Sequence, residues 1–399
     1  MFKFSRRSLS VSPSLTLSLT AKANELKAQG VPVISFGVGE PDFNTPDYIV
    51  AGAKTALDKG MTKYTASAGM PTLRQAIADK LRKDNGLTYT YDQIVVSSGA
   101  KQSLFNAMQI LVDEGDEVII PSPYWLTYPQ LVTICGGKCV YVECSSDNGF
   151  ILQPNDLERA ITDKTKVLLL NSPNNPTGAV YNKQQLSAIA QVLAKYPDIW
   201  VIADEIYEKL IYDDNQHYSI ATFPTMYERT IVINGMSKAY AMTGWRIGYC
   251  AAPTPKVAKL MDSLQSHQSS NANSIAQYAS QVALTTQTDF IVNMRGEFAR
   301  RRDCMLEQLV KINGIKAIHA QGAFYIMVDV SGLFDKQYKG TVIDSANTLA
   351  QLLISTVNVV VIPCEGFGAS HFVRLSYATN IDNIVVGVDR LADFIAQVN

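Results

Sequence analysis

Between residues 46 and 285, short apolar runs alternate with longer segments of helical spacing. The runs are Ile94-Val-Val96, Glu117-Val-Ile-Ile120, Val140-Tyr-Val142, Val167-Leu-Leu-Leu170, Trp200-Val-Ile-Ala203, Thr230-Ile-Val-Ile233 and Gly248-Tyr-Cys-Ala251. Several are apolar at every position, as strands covered on both faces must be. Helical patterns such as Leu73 to Asp84 and Lys183 to Lys195 lie between them. This predicts an α/β unit around a mostly parallel sheet. After residue 285 the pattern changes. A charged helix is expected over Phe290 to Val310, then Phe324-Tyr-Ile-Met-Val-Asp329, a helix near 345–354, and the runs Val357-Asn-Val-Val-Val-Ile362 and Phe372-Val-Arg-Leu375. That describes a smaller α+β unit. Upstream, a helix is expected from about Thr20 to Gln29, closed by Gly30. The turn-rich Gly37-Val-Gly-Glu-Pro-Asp-Phe43 follows it. The expected division is 46–285 as the large domain, with 1–45 and 286–399 forming the small one.

Composition narrows the function classes. Of 399 residues 47% are apolar, enough for a large core. With 35 basic and 36 acidic residues, the chain has no footprint for nucleic acid or an anionic membrane. No apolar run reaches the length of a membrane span. The six cysteines form no C-x-x-C pair and the four histidines lie far apart, so no metal site is expected. Reduced thiols in the cytoplasm are the expected setting. Lys3, Arg6 and Arg7 precede the first acidic residue, Glu25, which superficially fits a transit peptide. The stretch Ser8 to Thr20 alternates Ser or Thr with Leu or Val and lacks a secretory apolar segment.

The candidate chemistry sits where apolar runs end. Lys238 lies in Asn234-Gly-Met-Ser-Lys-Ala-Tyr-Ala-Met-Thr-Gly-Trp-Arg-Ile-Gly248, just after Thr230 to Ile233. Such a lysine can form an imine with an aldehyde cofactor. Ser237 and Arg246 can hold that cofactor's phosphate. Asp204 ends the run from Trp200, with Tyr207 three residues on. A carboxylate in an apolar setting needs a positive partner, such as a protonated pyridine nitrogen. Tyr207 can hydrogen-bond a phenolic oxygen. Taken alone, Asp-Glu-Ile-Tyr also reads as a helix cap. Asn171-Ser-Pro-Asn-Asn-Pro-Thr-Gly178 fixes a rigid turn after another buried run. In Ser97-Ser-Gly-Ala-Lys-Gln102, the amides of Gly99 and Ala100 at a helix start are expected to face an anion, with the Ser98 hydroxyl adding a bond. Arg374, inside the apolar run 372–375, is costly unless paired, and its fork matches a carboxylate. A buried structural salt bridge is the alternative for it.

Together these motifs, with Glu40-Pro-Asp-Phe43, Ser122-Pro-Tyr-Trp125, Ala241-Met-Thr-Gly-Trp-Arg-Ile-Gly248 and Gly322-Ala-Phe-Tyr325, resemble the class I/II aminotransferases that use pyridoxal 5′-phosphate (fold type I). The resemblance spans essentially the whole chain and is strongest to subgroup Ib, whose members act on aspartate. It implies transfer of an amino group from L-aspartate to 2-oxoglutarate by a ping-pong mechanism. It implies that Lys238 carries the cofactor and that Asn175 contacts the ring oxygen, with Asn175–Pro176 commonly cis. Trp125 is implied to cover the ring, Gly39 to lie near the substrate carboxylate and Arg374 to bind it. Tyr64 is implied to reach the phosphate of a neighbouring subunit, hence a homodimer with shared sites. Lys101, with Ser14 and Thr16, is implied to receive the distal carboxylate. Ser12 stands where prephenate-accepting members tend to carry arginine, which weakens that reading. An aromatic or broad-range aminotransferase, or a carbon–sulfur lyase, would use the same lysine.

Overall fold

The computed structural model describes residues 3–11 and 15–399, without the side chains of residues 6, 15–18 and 20. Each apolar run of the central stretch is a strand: β1 (Ile94–Ser97), β2 (Glu117–Ser122), β3 (Lys138–Glu143), β4 (Thr165–Asn171), β5 (Trp200–Asp204), β6 (Thr230–Gly235) and β7 (Gly248–Ala251). They form one sheet in the order β1-β7-β6-β5-β4-β2-β3. Only β7 runs antiparallel to its neighbours.

The apolarity of the central strands has a structural cause. Along β4, Val167 and Leu169 face one cluster while Leu168 and Leu170 face another. The first face packs against helices Ala100–Leu111, Thr127–Cys135 and Pro255–Gln268 through Leu104, Met108, Leu131, Val132 and Met261. The second packs against helix Lys183–Ala194 near β4 and β5, and against helices Asp47–Asp58, Pro71–Asn85 and Ser274–Thr285 near β1 and β7.

A second, antiparallel sheet comprises β8 (Lys316–Ala317), β9 (Tyr325–Asp329), β10 (Ile362–Pro363) and β11 (Phe372–Ser376), in the order β10-β11-β9-β8. The run 357–362 is therefore not one strand. Val359–Val360 pairs in parallel with Ile34–Ser35, and Ile362–Pro363 joins β11. Val359 to Ile362 are all buried apolar residues, so the pattern carries no signal for the change of partner between them. The N-terminal helix spans Leu15–Ala28, beginning five residues before the expected Thr20. The Ser/Thr–Leu alternation there is compatible with helix as well as with an extended arm. Ile34 and Phe36 share one core with Phe298, Phe324, Leu375, Leu391 and Phe394.

Beneath β5 lies a buried charge network. Glu208 pairs with the Lys80 ammonium and accepts from Asn85 Nδ2 at 2.6 Å, and His217 Nε2 lies 2.9 Å from Glu205 Oε2. The donor atoms of Glu205, Glu208 and His217 lie within 4.8 Å of one another, and Lys80 supplies the counter-charge at Glu208. Burial pushes the Glu208 pKa up, but Lys80, His217 and Lys209 outweigh it and hold the group at about 2. Lys80→Met leaves that carboxylate buried and unpaired. It is expected to cost about 3–5 kcal/mol, read as a fall in the urea unfolding midpoint.

Candidate active site

Because the strands are parallel, the ends of β1, β2, β4, β5 and β6 open on one edge of the sheet. That edge is where open α/β sheets place their ligands. From it project Ala100 and Lys101 after β1, Trp125 after β2, Asn171 and Asn175 after β4, Asp204 and Tyr207 from β5, and Ser237 and Lys238 after β6. Tyr325 of β9, Arg374 of β11 and the loop from Gly37 to Glu40 close the opposite side. The cavity between them is about 550 Å³.

Close backbone approach builds the floor. A Cβ on Gly248 would sit 2.0 Å from the Ala100 amide nitrogen, and one on Gly99 would sit 2.2 Å from Arg246 Nη2. Gly99 has φ +89°, a conformation suited to glycine. Arg246 itself has φ +57°, an uncommon position for a side-chain-bearing residue. Its Nη1 donates to the Thr243 carbonyl at 3.0 Å. The Gly99 amide, expected to face an anion, instead donates to the Ser97 carbonyl at 2.8 Å, and the Ser98 amide donates to Gln102 Oε1 at 2.6 Å. Ala100 and Lys101 open the first helical turn, whose amides have no acceptor within the helix.

Lys238 Nζ donates to the Gly39 carbonyl at 2.5 Å and lies 5.6 Å from the ring centres of Tyr207 and Phe324. Burial pushes its pKa down to about 8, aided by Arg374 and Arg246 and opposed by Glu40 and Asp204. Near neutrality this amine both gains and loses a proton readily.

Asp204 is 3% exposed. Its carboxylate accepts from the Tyr128 hydroxyl at 2.7 Å and the Ile206 amide at 3.2 Å, both neutral donors. Burial pushes its pKa up to about 6. Between pH 4 and 6 Asp204 therefore holds more proton in the folded state than in the unfolded one, so its own contribution to stability falls as pH rises through that window. Relative to Asp204→Asn, the ligand-free chain is expected to lose roughly 2–3 kcal/mol between pH 4 and 7. Urea unfolding at both pH values checks this, and parallel profiles for the two proteins contradict it.

Arg374 is 3% exposed. Its Nη1 donates to Asn175 Oδ1 at 2.9 Å and its Nη2 to the Gly37 carbonyl at 3.2 Å, while Nε is buried without a partner. Among the described residues no carboxylate pairs with it, so the salt-bridge alternative does not describe it. A guanidinium facing a cavity with an unused donor suits an incoming carboxylate. Lys101 Nζ lies 4.9 Å from the Trp125 ring centre, and desolvation followed by the Arg246 charge pushes its pKa down.

The cavity brings together Gly39, Ala100, Lys101, Trp125, Asn175, Asp204, Tyr207, Ser237, Lys238, Arg246 and Arg374. Ser98 and Gly99 form the turn beneath it. Tyr64 lies apart and is 90% exposed. Ser12 and Ser14 fall outside the described residues. Thr16 lies in helix Leu15–Ala28, with its side chain likewise outside them. Asn175–Pro176 is cis, as are Ser172–Pro173 and Ser122–Pro123. Tyr128, Glu40, Thr243 and Tyr325 also line or support the cavity and received no role from the sequence. Tyr325 stands in the quoted Gly322-Ala-Phe-Tyr325. Tyr128 follows Trp125 at i+3, which is the spacing that lets both rings reach one site.

Residues 31–391 match the family model described as aminotransferase class I and II. The chain belongs to that family. Among relatives, the aspartate aminotransferase of Bacillus sp. (strain YM-2) is 44% identical, covering 96% of this chain and 97% of its own. The aspartate/prephenate aminotransferase of Cereibacter sphaeroides is 45% identical over 92% of each chain. The solved aspartate aminotransferase of Rhizobium meliloti superposes with a TM-score of 0.96 at 41% identity, covering 100% of both chains. That of Thermus thermophilus with maleate gives 0.93 at 42% identity, covering 99% of this chain and 100% of its own. The aminotransferase fold thus accounts for the two sheets and the cavity between them. Among the described residues, no helix of this aminotransferase is long and apolar enough to cross a membrane.

Proposed function

We propose that this aminotransferase carries pyridoxal 5′-phosphate and transfers the amino group of L-aspartate to 2-oxoglutarate. The observation that carries the reading is a half-buried lysine with its pKa pushed down to about 8, facing a buried aspartate and a buried arginine across one cavity. The donor set fits the cofactor. Asp204 lacks a cationic hydrogen-bond partner, and a protonated ring nitrogen supplies one. The tight turn at Gly99, Ser98 and Ser237, the Ala100 amide and Arg246 suit a phosphate. Asn175 offers its Nδ2, since its Oδ1 already accepts from Arg374. Trp125 offers a face for the ring.

When bound, the cofactor supplies a cationic ring that accepts the electrons left at Cα. Asp204 would hold a proton on the ring nitrogen. Tyr207 and Asn175 would offer donors to the ring oxygen. Arg374 takes the α-carboxylate of the substrate and fixes the Cα–H direction. Lys238 would hold the cofactor's aldehyde, and its amine, with a pKa of about 8, would move the proton at the substrate's Cα. Two half-reactions sharing one lysine require ping-pong kinetics. Parallel double-reciprocal lines are expected, and intersecting lines contradict the scheme.

Lys101 is proposed to receive the distal carboxylate, with Ser14 and Thr16. Its place at the cavity rim beside Trp125 supports this. Lys101→Met is expected to lower kcat/KM for aspartate by roughly 10–100-fold, while that for phenylalanine changes less than threefold. Equal losses contradict the assignment. The same comparison, run with prephenate as acceptor, tests the reading suggested by the Cereibacter sphaeroides relative.

The large exposure of Tyr64 supports a homodimer in which the partner's Tyr64 completes the phosphate site. The pairing of Ile34–Ser35 with Val359–Val360 supports assigning 1–45 and 286–399 to a small domain and 46–285 to the cofactor domain. Six free cysteines support a cytoplasmic setting.

A further inference from the structure

Tyr325 has no part in the scheme above, yet it touches two of its members. It is 1% exposed and opens β9 opposite Ser376. Its hydroxyl lies 2.9 Å from that of Tyr207. Its ring centre lies 4.3 Å from the guanidinium carbon of Arg374. A Cβ on Gly39 would come 3.6 Å from its hydroxyl. We propose that Tyr325 is a positioning residue that serves both halves of the site, its hydroxyl aiming Tyr207 and its ring setting the plane of Arg374. The inference rests on the proposed function.

The hydroxyl argument is one of proton count. A phenol has one proton to donate. If Tyr207 donates into the cavity, its oxygen accepts from Tyr325. Tyr325 therefore decides which way the Tyr207 proton points. Burial raises the pKa of both phenols, so both protons stay in place. A donated bond also makes Tyr207 a stronger donor in turn.

The ring argument concerns Arg374. Two hydrogen bonds, to Asn175 and to the Gly37 carbonyl, hold its Nη atoms. They leave rotation of the plane about their own line to be settled by stacking. Tyr325 lies close on the guanidinium, and Phe367 lies farther off at 5.4 Å. Phenylalanine would serve Arg374 as well as tyrosine does. Only tyrosine serves both neighbours.

The two roles separate experimentally in the holoenzyme. One readout is the pH midpoint of the visible cofactor band. The other is calorimetric affinity for maleate, a dicarboxylate with no amine to transfer. The charged groups facing Tyr207 are Asp204, Arg374 and Lys238, and both variants retain them. A hydrogen bond to the ring oxygen favours its anionic form, so losing it raises the midpoint. Tyr325→Phe is expected to raise the midpoint by roughly half a pH unit, with maleate affinity within about twofold of the parent. Tyr325→Leu is expected to raise it equally and to weaken maleate roughly tenfold. An unmoved midpoint in Tyr325→Phe, or a loss of maleate affinity equal to that of Tyr325→Leu, overturns the proposal while leaving the functional reading intact. A parent protein with no visible band overturns the functional reading and this inference together.

Discussion

Lys238→Ala is expected to convert L-aspartate and 2-oxoglutarate at least about 10,000-fold more slowly than the parent. The size follows from two functions lost at once. In the proposed scheme the residue would hold the cofactor aldehyde between turnovers and would also move the proton at Cα. Among the described residues lining the cavity, no other amine is placed to stand in for it. Lys101 sits at the rim against Trp125, and Lys80 is committed to Glu208. Lys238→Arg is expected to recover little, because a guanidinium neither forms the imine nor deprotonates near neutrality. Single-turnover stopped-flow with L-aspartate checks the chemical step directly. A variant within about tenfold of the parent would remove Lys238 from the centre of the mechanism.

The second large effect is expected at Arg374. Arg374→Leu removes the carboxylate partner and leaves Asn175 Oδ1 and the Gly37 carbonyl without their donor. A lost charge-assisted pair in a dry site costs several kcal/mol. The expected fall in kcat/KM for aspartate is roughly 100–1,000-fold, carried mainly by KM. Arg374→Lys restores the charge but not the planar two-bond contact, and it is expected to recover less than half of that loss on a logarithmic scale. Steady-state kinetics against aspartate, with unfolding curves to separate damage to the fold, check the pair. An unchanged KM in Arg374→Leu would place carboxylate recognition elsewhere.

The residues legible in the sequence share one property. Asp204, Asn171 and Lys238 each end or directly follow an unbroken apolar run, where a polar group needs a reason to be. Parallel strands end on one edge, so the runs predicted both the sheet and the clustering of these side chains. What the sequence hid depends on turns and on contacts between distant segments. The Gly99 amide turns back on Ser97 because of the local φ, which composition does not encode. Tyr128 and Tyr325 look like ordinary core aromatics until their hydroxyls are seen on Asp204 and Tyr207. Within 357–362, Val359 to Ile362 are all apolar, so the division between Ile34–Ser35 and β11 left no mark in the periodicity. The early start of the first long helix at Leu15 was hidden by an alternation that helix and strand both tolerate.

The most direct test of the central claim is the absorbance of the purified protein before and after L-aspartate is added without an acceptor. The account predicts a band near the visible edge that moves into the ultraviolet, with one oxaloacetate released per chain. A band that stays in place with aspartate would contradict the assignment of aspartate as substrate, and a protein that shows no band even after incubation with pyridoxal 5′-phosphate would contradict the role given to Lys238.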